Sequence, residues 1–181
     1  YGITMSSDSP TITGNTFTDN RCAVYVSGTA TPVLTNNTFT GNQYTIYLGA
    51  LNTGMILTGN NGSNNNINGI IVNASTSGDI EFNTDNDLPY VLSDATVSSG
   101  DTLTIVPGTV IKFYLASYGS YSAWTTRLVV FGTLDVQGTS TDPVIFTSIK
   151  DDDYGGDTNN NGTASSPVVG DWQSLGFSST S

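Results

Sequence analysis

The sequence of 181 residues has no histidine, one cysteine, one glutamate and only four lysines and arginines. The four cations are scattered and the net charge is −11, so no basic stripe is present to neutralise the phosphates of a nucleic acid. The lone Cys22 cannot form a disulfide within the chain; a buried side chain is expected, with an intermolecular bridge as the alternative. No apolar run approaches the roughly 18 residues of a membrane-spanning helix. Nucleic-acid partners and a membrane span are therefore excluded.

The sequence also lacks the 3.6-residue apolar periodicity of helices, and a longer repeat takes its place. TITGNTFTDN, from Thr11 to Asn20, returns 22 residues later as VLTNNTFTGN and then, less closely, as ILTGNNGSNN. A period of this length indicates equivalent coils that stack on one another rather than one central core. Segments such as ITM and VYV alternate with period two, which is typical of short strands.

The length of the repeat matches one coil of a parallel β-helix. Strand residues advance about 3.3 Å each, and successive coils lie about 4.8 Å apart. A leucine-rich repeat of similar length would need a regular leucine skeleton, whereas the apolar positions here mix Ile, Val, Leu, Phe and Met. We therefore predict an all-β fold, a parallel β-helix or β-solenoid, with coils of about 22 residues.

Asparagine recurs in register at the corners of these coils. Asparagine tolerates the left-handed backbone conformation, and its amide can bond to the amide of the asparagine one coil away. We predict that Phe17 and Phe39 stack in the same manner. The two predicted ladders consist of Asn15, Asn37 and Asn60, and of Asn20, Asn42 and Asn65.

The second half of the chain has wider turns, but we interpret it as the same solenoid. The predicted domain is 1–181, with Asn-rich coils at 1–89, coils of a second type at 90–181, and insertions at 114–126 and 149–170. Pro107 and Gly108 form a turn pair that separates two strands. The side chains expected to point inward are Leu103, Ile105, Val110, Phe113, Leu128, Val130, Leu134, Val136, Val144 and Phe146.

Residues 95–177 carry a more specific pattern. SSGDTLTIVPGTVIKF is followed by LVVFGTLDVQGTSTDPVIFTS, an acidic loop and GDWQSLGF. This pattern resembles the right-handed parallel β-helix repeat regions of secreted prokaryotic surface proteins, whose pectin-lyase-like fold is shared with polysaccharide-degrading enzymes. The resemblance implies a single-stranded right-handed β-helix with loop insertions, located outside the cell or on its surface.

The acidic loop after Ile149 contains a partial calcium motif. Asp157, Asn159, Asn161 and Gly162 match the first half of the D-x-[DN]-x-[DN]-G loop, but Val168 stands where the bidentate glutamate is expected. The consecutive carboxylates at 151–153 would supply the missing ligands. They repel one another unless a cation is present. We therefore predict a Ca²⁺ site, against the alternative of a solvated acidic insertion. The predicted metal ligands are Asp151, Asp153, Asp157, Asn159 and Asn161.

The first and last segments, YGITM and GFSSTS, lie within or directly after strands, and neither carries an amphipathic helix. β-Helices expose unpaired backbone at their ends and usually cover it. We therefore expect either a piece of a longer solenoid or end-to-end stacking between copies of the chain. Head-to-tail contacts do not close, so they would produce a filament. The predicted function is a structural extracellular protein, the subunit or repeat unit of a surface filament or array.

Three other functions remain open on the sequence. A carbohydrate-binding adhesin would stack glycans on the aromatic residues Tyr114, Tyr118, Tyr121 and Trp124, although these can also bury one another. A polysaccharide lyase or hydrolase needs clustered carboxylates or a cationic base, and Asp79, Glu81, Asp85 and Asp87 are the only acidic group besides the loop. Because Ile80 and Phe82 indicate that the opposite strand face is core, we predict no enzymatic activity. Ice binding would need more Thr-x-Thr pairs than the sequence offers.

Overall fold

A computed structural model describes residues 1–114 and 127–178, and these residues contain strands but no helix. No helix in this part of the chain is therefore long and apolar enough to cross a membrane. The strands are short because each coil turns several corners, and all their pairings are parallel, each strand lying against its equivalent one coil away.

The described residues form nineteen strands in one long sheet and three short sheets. The long sheet is β1 Ile3–Met5, β4 Cys22–Val26, β7 Tyr44–Leu48, β8 Leu51–Asn52, β11 Ile67–Ser77, β13 Tyr90–Val97, β15 Val110–Phe113, β16 Arg127–Val130, β18 Ile145–Ser148 and β19 Ser174–Phe177. The short sheets are β2 Thr11–Thr13, β5 Val33–Thr35 and β9 Ile56–Thr58; β3 Thr16–Thr18, β6 Thr38–Thr40 and β10 Asn61–Ser63; and β12 Ile80–Phe82, β14 Thr102–Ile105 and β17 Thr133–Val136.

Together these sheets form a β-solenoid of about five turns with a spacing of about 23 residues. The prediction of a right-handed parallel β-helix is confirmed. The long sheet runs without a break from the Asn-rich coils into the second half, because β11 pairs with β7 on one side and β13 on the other. The division of the chain into 1–89 and 90–181 stays a prediction.

The core is a continuous apolar column enclosed by the coils. Ile3, Val24, Ile46 and Ile70 lie in register along the long sheet, and the last three are fully buried. Such stacking keeps each apolar side chain in contact with its equivalents above and below, which removes its surface from water.

The core prediction for the second half is right at most positions and wrong at two. On β15 Ile111 points inward and Val110 is only half-buried, because Ile111 lies in register with Tyr90 in the inward column. Val136 is 42% exposed on β17. Full burial is found for Leu103, Ile105, Phe113, Leu128 and Val130, and partial burial against the core for Leu134, Val144 and Phe146.

Both asparagine ladders are present and each extends one residue further than predicted. In the first, Asn15 Nδ2 donates to Asn37 Oδ1 at 3.3 Å, and Asn37 Nδ2 donates to Asn60 Oδ1 at 3.1 Å. Asn60 Nδ2 then donates to Asn86 Oδ1 at 2.9 Å. The second ladder joins Asn20, Asn42, Asn65 and Asn68. Phe17 and Phe39 stack between the ladders, as predicted, with ring centroids 5.3 Å apart.

The left-handed backbone positions are not the ladder asparagines themselves. They are the residues directly before them, for example Gly14 with φ 68°, Asn36 with φ 55° and Gly59 with φ 67°. The left-handed residue turns the corner, and the following asparagine then points its amide inward along the axis. The ladder asparagine is thus selected for hydrogen bonding rather than for backbone conformation.

Asn37 supplies a test of how much a ladder stabilises the fold. Asn37 is fully buried, donates to Ile12 O and Asn60 Oδ1, and accepts from the backbone and side chain of Asn15. We expect Asn37→Ala to lower the free energy of unfolding by about 3 kcal/mol, because it leaves buried partners unsatisfied. Urea unfolding measures this loss. Asn15→Ala is the matched control, since the exposed end of the ladder should lose about 1 kcal/mol; equal losses would contradict a role for burial.

Candidate functional site

The long sheet carries a second apolar cluster on its outer face, the face directed away from the core. Because neighbouring strand residues point to opposite faces, Ile71 lies outside while Ile70 and Val72 lie inside. The outer cluster consists of Ile67, Ile71, Val91 and Ile149, with Tyr44, Tyr47 and Tyr114 packed against it.

A groove of about 250 Å³, here called the tyrosine groove, runs along this outer face. Tyr25 and Tyr47 form part of its floor, since they are in register on neighbouring coils and their rings lie 5.5 Å apart. The ring of Tyr1 lies 5.6 Å from that of Tyr25. The groove is lined by Tyr1, Arg21, Cys22, Tyr25, Tyr44, Tyr47, Ile71, Asn73, Ser93 and Tyr114.

Polar groups lie at one side of the tyrosine groove. Asn73 Nδ2 donates to Ser93 Oγ at 3.0 Å, which holds the amide in place beside the rings. Arg21 places a positive charge in a chain whose net charge is −11. Aromatic faces with a few oriented polar groups are the usual composition of a small-molecule site.

The acidic loop folds back onto the same outer face instead of extending into solvent. Thr158 is fully buried, and its carbonyl accepts the backbone N–H of Asn68 at 2.7 Å. Gly155, with φ 69°, packs on the sheet, since an added Cβ would lie 3.3 Å from Val110 Cγ1 and 3.4 Å from Lys112 Cε. The loop is therefore a packed cover over the sheet.

Lys112 is the centre on which this cover is built. Its side chain is fully buried, and Nζ donates to the carbonyl oxygens of Asp151 and Gly156, both at 2.7 Å. Burial lowers the pKa of Lys112 from 10.5 to about 8, although the neighbouring carboxylates of Asp151, Asp152 and Asp157 act in the opposite direction. The repulsion between the consecutive carboxylates is thus partly offset by an ammonium that the chain itself provides.

Three of the predicted metal ligands form hydrogen bonds within the loop itself. The Asp157 carboxylate accepts the backbone N–H groups of Asn161 and Gly162, at 3.0 and 2.7 Å. The amides of Asn159 and Asn161 both donate to Ser165 Oγ. These three residues thus support one turn.

The other two predicted ligands lie at the start of the loop. The Asp151 carboxylate accepts from the Thr147 hydroxyl and from the backbone N–H of Asp153. No group of three or more His, Cys, Asp or Glu side chains in the described part of the chain is arranged to hold a metal ion. That these five residues act as metal ligands stays a prediction.

The acidic residues that a hydrolase would need lie elsewhere. Asp79 Oδ1 accepts the backbone N–H of Thr102 at 2.8 Å, and Glu81 is exposed on β12. Of the aromatic residues predicted to bind glycans, Tyr114 lines the tyrosine groove, whereas Tyr118, Tyr121 and Trp124 lie outside the described residues.

Sequence reasoning missed Lys112, Tyr25 and Tyr47 as site residues. The tyrosine pair was detectable, since VYV and IYL place Tyr25 and Tyr47 at equivalent positions 22 residues apart. The role of Lys112 had no local signal, because its partners lie about 40 residues further along the chain.

The buried ammonium of Lys112 gives the protein a specific pH dependence. The folded-state pKa lies below the unfolded value, so the unfolded chain binds more protons and stability rises with pH. We expect the free energy of unfolding to rise by about 0.7 kcal/mol between about pH 7.5 and 8.5. Urea unfolding at these two values measures the change, and Lys112→Met should abolish it.

The range from about pH 7.5 to 8.5 lies below the pH at which two other groups lower the free energy of unfolding. Burial raises the pKa of the Cys22 thiol to about 11 and that of Tyr90 to about 12. Both hold protons more tightly in the folded state, so they lower stability mainly above this range. A fall in stability across this range, or a rise that survives in Lys112→Met, would contradict the assignment.

Comparison with known proteins gives one family. The family model described as periplasmic copper-binding protein (NosD) matches residues 1–97, more than half of the chain. Neither a curated protein nor a solved structure matches the chain. The matched segment contains the asparagine ladders and the tyrosines of the groove up to Tyr47.

This family corrects the calcium prediction. The prediction of Ca²⁺ is wrong, because the family is described by copper rather than calcium. The structural reason is that the loop oxygens are bonded to backbone N–H groups and to Lys112. Lys112 therefore supplies part of the positive charge that a cation was expected to provide.

Copper requires ligands of which this chain has very few. Copper sites in proteins use imidazole, thiolate or thioether groups. The sequence has no histidine, and Cys22 is 2% exposed with its thiol donating to Val24 O. Of the two methionines, Met5 is buried in the core, and Met55 is half-buried on a different coil from both Met5 and Cys22. These residues do not fit a copper site, and copper therefore has no part in the function proposed below.

The family assignment rests instead on the fold and on the repeat. The match begins at the first residue and continues through the ladder coils into β13, along the unbroken long sheet. By this match over more than half of its length, the chain belongs to the NosD family.

Proposed function

We propose that the chain is a structural β-solenoid that works outside the cytoplasm and extends by stacking head to tail on copies of itself. The family description, which names the periplasm, supports a location beyond the inner membrane. The periplasm and the cell surface both agree with the secreted repeat proteins that the sequence resembles. No catalytic role is part of this proposal.

One observation carries the stacking proposal: the strands of the outermost described coils are paired on one side only. At one end these are β1, β2 and β3, and at the other β17, β18 and β19. Each therefore offers a row of backbone N–H and C=O groups to a further parallel strand. A coil from a second copy, or a further coil of a longer solenoid, would continue the same pairing pattern.

Exposed apolar side chains at the end of the solenoid that contains β17 and β19 also favour stacking by a second copy of the chain. Phe177 on β19 is 70% exposed and Val136 on β17 is 42% exposed, while Leu134 and Leu175 are only half-buried. Stacking of another coil would remove this surface from water at about 25 cal/mol per Å². The two ends of the solenoid differ, so the contact is heterologous and repeats without closing.

Sedimentation velocity and electron microscopy at increasing protein concentration test this proposal. We expect growing linear assemblies in the wild type and a largely monomeric species for Val136→Asp with Phe177→Asp, because the charges oppose burial of the end coil. Val169→Asp, at a fully exposed position of the acidic loop, is the matched control and should assemble like the wild type. A wild-type protein that stays monomeric throughout would exclude self-stacking.

A second candidate function is carbohydrate binding in the tyrosine groove. The supporting observation is the set of tyrosines on successive coils beside the fixed amide of Asn73. Sugar rings pack their C–H faces on aromatic rings and bond their hydroxyls to amides. With a net charge of −11, the chain favours neutral glycans over acidic ones.

A panel of neutral and acidic oligosaccharides tests this second function. We expect binding of a neutral glycan that Tyr25→Ala weakens about tenfold, because it removes a stacking surface worth about 1 kcal/mol or more. Tyr154→Ala, at an exposed tyrosine of the acidic loop, is the control and should bind like the wild type. Equal weakening by both variants would place the contact elsewhere.

A further inference from the structure

The third coil, which contains β9, and the fourth coil, which contains β12, are not paired with each other at these two strands. The backbone N–H of Thr53 donates to Ser77 O on one side of the gap, and that of Gly59 donates to Asp85 O on the other. Between these bonds the third coil advances six residues and the fourth coil eight. In the described chain β9 pairs only with β5, and β12 only with β14. The two extra residues displace β12 and open the wall of the solenoid.

The opening is a pocket of about 350 Å³, here called the wall pocket. Its apolar lining includes the half-buried side chains of Met55, Leu57 and Ile80 and the buried ring of Phe82. This is core-type surface that a paired coil would otherwise cover. Its volume suits a small organic molecule or one long side chain.

The back of the wall pocket is rigid. The rings of Phe82 and Tyr90 are stacked with centroids 4.1 Å apart and an angle of 13° between their planes. The Tyr90 hydroxyl oxygen accepts the backbone N–H of Asn83 at 3.2 Å. Coil-to-coil bonds on both sides of the gap hold its width. The pocket is therefore pre-formed, which lowers the entropic cost of binding.

The rim of the wall pocket is acidic. Asp79, Glu81 and Asp85 all line it and are exposed. The ion pairs Arg127–Asp94 and Lys150–Asp171 do not involve these carboxylates. An apolar interior below a negative rim complements a ligand with an apolar body and one positive charge.

We propose that the wall pocket binds a small organic cation, an alkyl- or arylammonium whose apolar part fills the pocket and whose ammonium contacts Glu81 and Asp85. A hydrated metal ion would leave the apolar lining empty, and an anion would be repelled by the rim. A neutral apolar molecule gains only the burial contribution. The site is separate from the stacking ends and from the tyrosine groove.

Amide NMR titration of the full chain with phenethylammonium tests the proposal. We expect saturable shifts centred on residues 51–58 and 79–85, with weaker binding of the neutral 2-phenylethanol and the anionic 3-phenylpropionate. The double variant Glu81→Gln with Asp85→Asn should lose about fivefold in affinity for the cation and keep its affinity for the alcohol, since exposed ion pairs contribute modestly. Met55→Phe should weaken binding of the cation and of the alcohol by filling the pocket.

Two control variants locate the effect. Asp8→Asn removes an exposed charge on another coil and should leave the affinity unchanged. Tyr25→Ala tests the alternative that the cation binds the aromatic faces of the tyrosine groove, and it should also have no effect. The proposal would be overturned by equal affinity for the cation and the alcohol, by shifts centred on the tyrosine groove, or by shifts that never saturate. None of these outcomes depends on self-stacking.

Discussion

The constraint on which this structure depends is parallel pairing in register between successive coils. Each residue lies directly above its equivalent, about 4.8 Å away, so every position must tolerate a copy of itself. Apolar residues satisfy this by packing, as in the inward column through Val24 and Ile46. Asparagine satisfies it because its amide is both donor and acceptor, so Asn37 can bond to the asparagines on both sides. A charged side chain has no such solution, and between Thr11 and Asn68 the only charged residues of the sequence are Asp19 and Arg21.

The same constraint determines how much could be predicted from the sequence. Where the chain repeats, register is visible, and the solenoid, both ladders and the Phe17–Phe39 stack follow from spacing. Asn86 was missed because it lies 26 residues after Asn60 rather than 22 or 23. The inward residue of β15 was assigned one position early. Because Val110, Ile111 and Phe113 are all apolar, the sequence allows either set of alternate residues to point inward.

The candidate sites were harder to predict because they arise where the repeat is broken. A regular solenoid has flat faces, and cavities need an extra loop or a change in coil length. The acidic loop covers the outer face through contacts with Lys112 and Asn68, which are far away in sequence. The wall pocket exists because the fourth coil is two residues longer than the third across the gap. Neither change has a local motif, so spacing alone could not reveal what it encloses.

The acidic loop shows why a ligand motif and a ligand site differ. The oxygens of Asp157 match the spacing of a calcium loop, but in the folded chain they accept the N–H groups of Asn161 and Gly162. An Asx-type turn and the first half of a calcium loop place the same residue types at the same spacing, because both direct a carboxylate toward nearby backbone. The two are distinguished by the source of positive charge. In this chain that source is Lys112, whose ammonium bonds two loop carbonyls much as a metal ion would and thereby holds the insertion against the sheet.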